Sequence, residues 1–223
     1  MGYRLGNKSI ELDGKRPIRF IASGDSEDVY RFQRMILKIF QDGEMPIDKK
    51  MAEYLSSIST ERILLPRKLL FYNNSFRGYS MKLVPKKGSG RRIITTPKNE
   101  LIMNIEVLEE DIQRLSRRKV LLNGVSPSNS IFNGELYFTN PNRYTLFDIS
   151  NFEELEKLNR FQLHLLLTEL IASELHKGQY PPSTVNMVRE MMGLRDTDQS
   201  SSSYLKDVMD GQENIKQMVK KIS

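Results

Sequence analysis

Lys38 lies in the most apolar run of the chain, Met-Ile-Leu-Lys-Ile-Phe at 35–40. Alternation along a strand puts Ile36, Lys38 and Phe40 on one face and Leu37 and Ile39 on the other. If both faces are covered, the ammonium needs an anion, because an unpaired buried charge is strongly destabilising. A phosphate or a carboxylate would serve, and an edge-strand lysine turned to solvent would need neither. Glu53 follows on the next helix and could supply the carboxylate, or it pairs on the surface with Lys49 one turn earlier. Upstream, residues 22–30 read Ala-Ser-Gly-Asp-Ser-Glu-Asp-Val-Tyr between two strands. A tight loop of this kind can lay backbone N–H groups over phosphates. Gly24 is its one glycine, and Asp25, Glu27 and Asp28 put negative charge where phosphates would sit. By itself the run is an acidic hairpin turn.

The elements that must position these residues divide by chain half. Residues 18–23, 29–32, 35–40, 69–72 and 78–84 are rich in β-formers and separated by turn residues, which predicts strands. Gln33-Arg34 is a hairpin connection and Asn73-Asn74-Ser75 another turn. One helix interrupts them over 47–58, with Met51, Ala52, Leu55 and Ile58 on one face and Pro46 just before its start. The second half is helical. Residues 99–118 align Leu101, Ile105, Leu108, Ile112 and Leu115. Two short strands follow at 130–132 and 144–147, with Asn133-Gly134 as a turn. Residues 159–175 are apolar almost all round, which predicts a helix buried at the centre of a helical lobe. Helices over 184–192 and 204–222, joined by a polar connector at 196–203, complete the set. The pattern is a two-lobed α+β layout: an N-lobe over 1–84, a reduced helical C-lobe over 85–223, and a natural cleft between them.

In this order the pieces resemble the protein kinase fold, over residues 18–175. A glycine-rich loop, a strand lysine and a helix glutamate follow one another there at similar spacings. Residues 21–30 are similar to the glycine-rich loop, with Gly24 at its middle glycine, Val29 at its valine, and Ala22 and Glu27 replacing the outer glycines. Lys38 looks like the phosphate-anchoring lysine and Glu53 like its partner. Residues 79–85 look like the last small-lobe strand entering the hinge, so that Met81 would guard the adenine pocket and Leu83 would lie in the hinge backbone. Residues 125–132, Val-Ser-Pro-Ser-Asn-Ser-Ile-Phe, are similar to the catalytic loop, with Asn129 as its metal-binding asparagine. Residues 144–150 look like the strand ending in the metal-binding aspartate, Asp148, with Asp-Ile-Ser for Asp-Phe-Gly. Asn159 stands in the central helix where an aspartate is usual, and His164 where a glycine is usual. Read without the resemblance, Pro127 and Asn129 form a turn and Asp148 caps or turns.

The resemblance implies what is missing as well. The catalytic aspartate belongs five residues before Asn129, where the chain has Gly124, beside Asn123. Neither can take a proton from a substrate hydroxyl, a role contributing about 10²- to 10⁴-fold in rate. The interval from Asp148 to Asn159 is also too short for a long activation segment, and no Ala-Pro-Glu-like anchor occurs. The expectation is a small bacterial-type pseudokinase: a regulatory or scaffolding domain with a nucleotide site built on Lys38 and a protein partner, with or without ATP, in which Asn129 and Asp148 could still hold Mg²⁺. An atypical ATP-dependent kinase is the enzymatic alternative, since phosphoryl transfer rests mostly on positioning and electrostatics. A basic binding module reusing the fold is the third.

Composition bounds these readings. With 223 residues, 39% of them hydrophobic, there is material for one sizeable core or a small two-lobed unit. No cysteine means no disulfide framework and no thiol nucleophile, and two histidines argue against a His-rich metal centre. A cytoplasmic setting fits. Residues 1–10 lack the apolar stretch of a signal peptide, and no run reaches membrane-spanning length. The net charge of +6 is spread over short runs at 86–87, 91–92, 114–119 and 220–221 without interleaved aromatics. That favours a solvated surface over a nucleic-acid platform. The amphipathic stretch 204–222 could dock a partner or another copy, or cover the second lobe.

Overall fold

The computed structural model describes residues 3–10, 18–84, 93, 96–148 and 151–177. The basic segment 86–92, the helices expected at 184–192 and 204–222 and the connector 196–203 lie outside them. The chain divides into two compact units. One holds Met1–Thr60, Leu64–Pro85 and Asn140–Arg143, and the other Glu61–Ile63, Lys86–Thr139 and Tyr144–Ser223.

The first unit is a seven-stranded antiparallel sheet. In chain order its strands are β1 (Tyr3–Leu5), β2 (Lys8–Ile10), β3 (Ile18–Ser23), β4 (Glu27–Phe32), β5 (Met35–Phe40), β6 (Lys68–Tyr72) and β7 (Ser75–Lys82), arranged β2-β1-β6-β7-β5-β4-β3. β1 and β2 were not expected. β4 begins two residues earlier than its β-formers suggest, which brings Glu27 into the strand. Turn chemistry sets the β6–β7 register: Asn73 and Asn74 both adopt positive φ, +47° and +64°, as a two-residue hairpin turn requires and asparagine tolerates. One face of the sheet buries Leu5, Ile10, Phe32, Leu37, Ile39 and Leu70, with Tyr3, Ile18, Tyr30 and Met35 packed against them. The other face carries Lys38, Phe40, Tyr79 and Met81, and Phe40 meets the rings of Phe76 and Tyr79 edge-on at 5.3 and 6.0 Å.

Gly78 is where β7 passes closest to β5. Its φ is +147°, and a Cβ there would fall 2.0 Å from the Lys38 carbonyl oxygen, so only glycine keeps the two strands in register at the lysine. Helix α1 (Lys49–Ser56) starts at Asp48, whose side chain accepts the Met51 N–H at 2.9 Å. It turns Met51, Ala52 and Leu55 inward and packs against β6.

The second unit is built on α2 (Lys98–Arg117) and α3 (Phe152–Lys177), which pack together. All five aligned residues of α2, from Leu101 to Leu115, are buried. Strand β8 (Val120–Leu121) pairs with β11 (Thr145–Leu146), and β9 (Ser130–Phe132) forms a hairpin with β10 (Leu136–Phe138). α3 begins seven residues before the expected 159, with Asn151 accepting the Glu153 N–H at 3.0 Å. It is not apolar-buried all round. Leu155, Leu163, Leu166, Leu167 and Ile171 are buried, whereas Leu158, Phe161 and Leu165 form an exposed stripe at helical spacing. No described helix is long and apolar enough to cross a membrane.

Candidate functional site

The first unit centres its chemistry on Lys38. Sheet register puts Lys38 directly opposite Tyr79 of β7 and Val29 of β4. Glu27, two residues before Val29, shares their face. The ammonium pairs with Glu27 Oε1, and both side chains are buried, with residue exposures of 7% and 8%. Two asparagines brought by the short 3₁₀ segment around Pro141–Arg143 complete the group. Lys38 Nζ lies 3.4 Å from Asn140 Oδ1, and Asn142 Nδ2 donates to Glu27 Oε2 at 2.7 Å. Tyr79, fully buried, donates its hydroxyl to Asn142 Oδ1 at 2.6 Å, which fixes that amide with its N–H groups toward the carboxylate. Both carboxylate oxygens of Glu27 are thus engaged, one by a cation and one by an amide.

This corrects the expected partner of Lys38. Glu53 lies next to buried Ala52 on α1 and therefore points away from the face that α1 buries. It is half exposed and pairs with Lys49 at 3.4 Å. The carboxylate comes from the neighbouring strand because a cross-strand neighbour on the same face is closer than any residue of a helix whose inward positions are apolar.

The turn resembling a phosphate loop is closed on itself. Gly24 donates its N–H to the Glu27 carbonyl at 2.8 Å, and Gln41 donates its N–H to the Ser26 carbonyl at 3.0 Å. The Gln41 side-chain amide donates to Ser23 Oγ and the Gly24 carbonyl, and Ser23 donates to Asp28 at 2.6 Å. Val29 is half-buried, Met81 is buried opposite Ile36, and Leu83 follows the end of β7.

In the second unit, Gly124 adopts a left-handed φ of +69°, and its carbonyl accepts the Asn129 side-chain amide at 2.9 Å. Asn123 donates to Thr145 Oγ1 at 3.1 Å. Asp148 is exposed and pairs with Lys119 at 2.9 Å. The hydrogen bond from that ammonium, and its charge, hold the carboxyl below its ordinary range. Strand pairing explains this position. β11, which leads to Asp148, pairs with β8, whereas the strand returning along β9 is β10, and the residue after that hairpin which reaches Lys38 is Asn140. Asn159 is fully buried on α3, accepting the Leu122 N–H at 2.7 Å and donating to Ser116 Oγ and the Val120 carbonyl at 2.9 Å each. Among the described residues no cluster of three or more His, Asp or Glu side chains is arranged to hold a metal ion.

Asn140, Asn142 and Tyr79 escaped the sequence reading as functional residues. The signal that could have found the asparagines is Thr-Asn-Pro-Asn at 139–142, two short amides flanking a proline.

No protein-family model and no curated protein matches the chain. Among solved structures it is similar to the kinase domain of Mycobacterium tuberculosis PknI, at 13% identity and a TM-score of 0.52, over 87% of this chain and 94% of that one. An antiparallel sheet with one helix, a helical unit with short hairpins, and this likeness together make the fold a reduced, two-lobed α+β protein-kinase-like fold.

Proposed function

We propose that the chain is a pseudokinase-type regulatory or scaffolding domain that acts by binding a protein partner and has lost phosphoryl transfer. The observation that carries this reading is Gly124. At the position of the catalytic base the chain has no side chain at all, and the backbone there is in a conformation that suits glycine, held by the Asn129 amide. The loop keeps its fold without its chemistry.

The residues present do not fit a magnesium nucleotide. Such a ligand needs a cation with charge to spare at its phosphates and acidic oxygens for its metal. The charge of Lys38 is already matched by Glu27, Asp148 is bound to Lys119, and Asn140 is a neutral amide. A regulatory role needs none of these groups to react, since a kinase-like scaffold can serve recognition alone.

The test is a transfer assay with radiolabelled ATP and either Mg²⁺ or Mn²⁺, following self-labelling and labelling of generic protein substrates. No incorporation above a Lys38→Met control is expected. Incorporation that the control lacks would make the chain an atypical kinase.

A further inference from the structure

We infer that Glu27 is the resident anion of a phosphate seat built from Lys38, Asn142 and Tyr79, and that it alone keeps inorganic or nucleotide polyphosphate out. This rests on the reading of the chain as a pseudokinase-type domain and names what closes its anion site. The seat has two donors aimed at one point: the Lys38 ammonium and the Asn142 amide, the latter oriented by the Tyr79 hydroxyl at 2.6 Å. An ammonium and an amide N–H converging on a pair of oxygens is the chemistry that recognises a phosphoryl group. Here the two oxygens belong to a carboxylate on the adjacent strand.

Three observations separate this from an ordinary structural ion pair. Glu27 sits at the mouth of the β3–β4 turn, where the Gly24 N–H is tied back to the Glu27 carbonyl, so backbone and side chain of one residue occupy both the loop and the lysine. Both carboxylate oxygens are engaged, one by the Lys38 ammonium and one by the Asn142 amide. Two of the supporting side chains, Asn140 and Asn142, arrive from a distant part of the chain, which a simple cross-strand pair does not need. A phosphate entering with Glu27 in place would meet a like charge in a buried setting. At a separation of about 4 Å this lowers affinity by on the order of 10²- to 10³-fold. Removing the side chain beyond Cβ vacates the space and frees both donors.

The experiment follows thermal unfolding of the full chain with sodium tripolyphosphate, without any metal, at constant ionic strength. The proteins are wild type, Glu27→Ala, Glu27→Gln and the double variant Lys38→Met/Glu27→Ala. Wild type is expected to be indifferent. Glu27→Ala is expected to melt lower and to rise by about 5–10 °C when the anion reaches a hundred times its dissociation constant. Glu27→Gln, which removes the charge but fills the space, and the double variant, which lacks the cation, should not respond. An equal rise in wild type, no rise in Glu27→Ala, or a rise shared by the double variant overturns the proposal. So does a Glu27→Ala protein that stays unfolded at every anion concentration, because the seat would then not accept a replacement. Failure here leaves the transfer assay untouched, whereas transfer by wild type would sink the pseudokinase reading and, since ATP would then reach the site with Glu27 in place, the exclusion proposed here with it.

Discussion

A lysine in the middle of an apolar strand raises one question, namely which group answers its charge. Lys38 and Glu27 are both more than nine-tenths buried, and water screens such a pair little. Taking away one partner leaves the other as an uncompensated charge, which costs about 3–5 kcal/mol, whereas neutralising both in similar volumes is close to neutral. Lys38→Met is therefore expected to lose about 3–5 kcal/mol in urea unfolding, and Lys38→Met/Glu27→Gln to regain most of it. A double-mutant cycle with coupling near zero would show that the two side chains do not depend on each other. The same logic explains why the pair was only half legible in sequence. That Lys38 needed an anion followed from hydrophobicity and alternation. Which carboxylate supplied it did not, because that depended on β4 starting at Glu27 instead of Val29. A two-residue extension across a polar stretch leaves no hydrophobic signal.

Among the elements, those with strong apolar periodicity were legible: β5 has its expected bounds, α1 lies within 47–58 and the inward stripe of α2 is buried, whereas β7 starts three residues before the expected 78 and stops two short of 84. The strands missed, β1, β2, β8 and β10, are two or three residues long, too short for alternation to show. α3 was legible as a helix but not in its burial, since an even spread of leucines does not reveal that Leu158, Phe161 and Leu165 lack cover from the described residues. Elements also need anchoring that composition does not announce. Asp111 on α2 is fully buried and accepts the backbone N–H groups of Glu61, Arg62 and Ile63 at 2.7–3.0 Å, with Arg114 at 3.0 Å. The segment so held runs beside β10, where Phe138 donates its N–H to the Arg62 carbonyl at 3.0 Å. Asp111→Asn keeps the shape but turns an N–H₂ toward N–H donors. It is expected to cost about 2–4 kcal/mol in urea unfolding. A loss under about 0.5 kcal/mol would mean that the segment 61–63 is held by its strand contacts instead.

For the molecule as a whole, the response to acid is set by groups that fold in an unfavourable charge state. His164 is buried on α3, and burial, aided by the charge of Arg160 one turn earlier, lowers its pKa from 6.5 to about 4. Arg160 is itself held by Glu156 at 2.6 Å and faces Glu109 of α2 at 3.6 Å, so the cation stays beside the imidazole. Between these two values the unfolded chain binds a proton that the folded chain refuses. Stability is then greater at higher pH. The neutral imidazole contributes in full above pH 6.5, and the contribution shrinks as pH falls and is gone below about 4. One such proton gives a slope of at most about 1.4 kcal/mol per pH unit. Urea unfolding of wild type and His164→Gln at pH 7.5, 6.5, 5.5 and 5.0 separates this from carboxylate titration, which lies mostly lower. Wild type is expected to weaken across the series and the variant to weaken less, so that their difference closes toward acid. Parallel curves would mean that His164 takes up its proton alike in the folded and unfolded chain, open to water, and that the helix it stands in is packed less tightly than its 5% exposure implies.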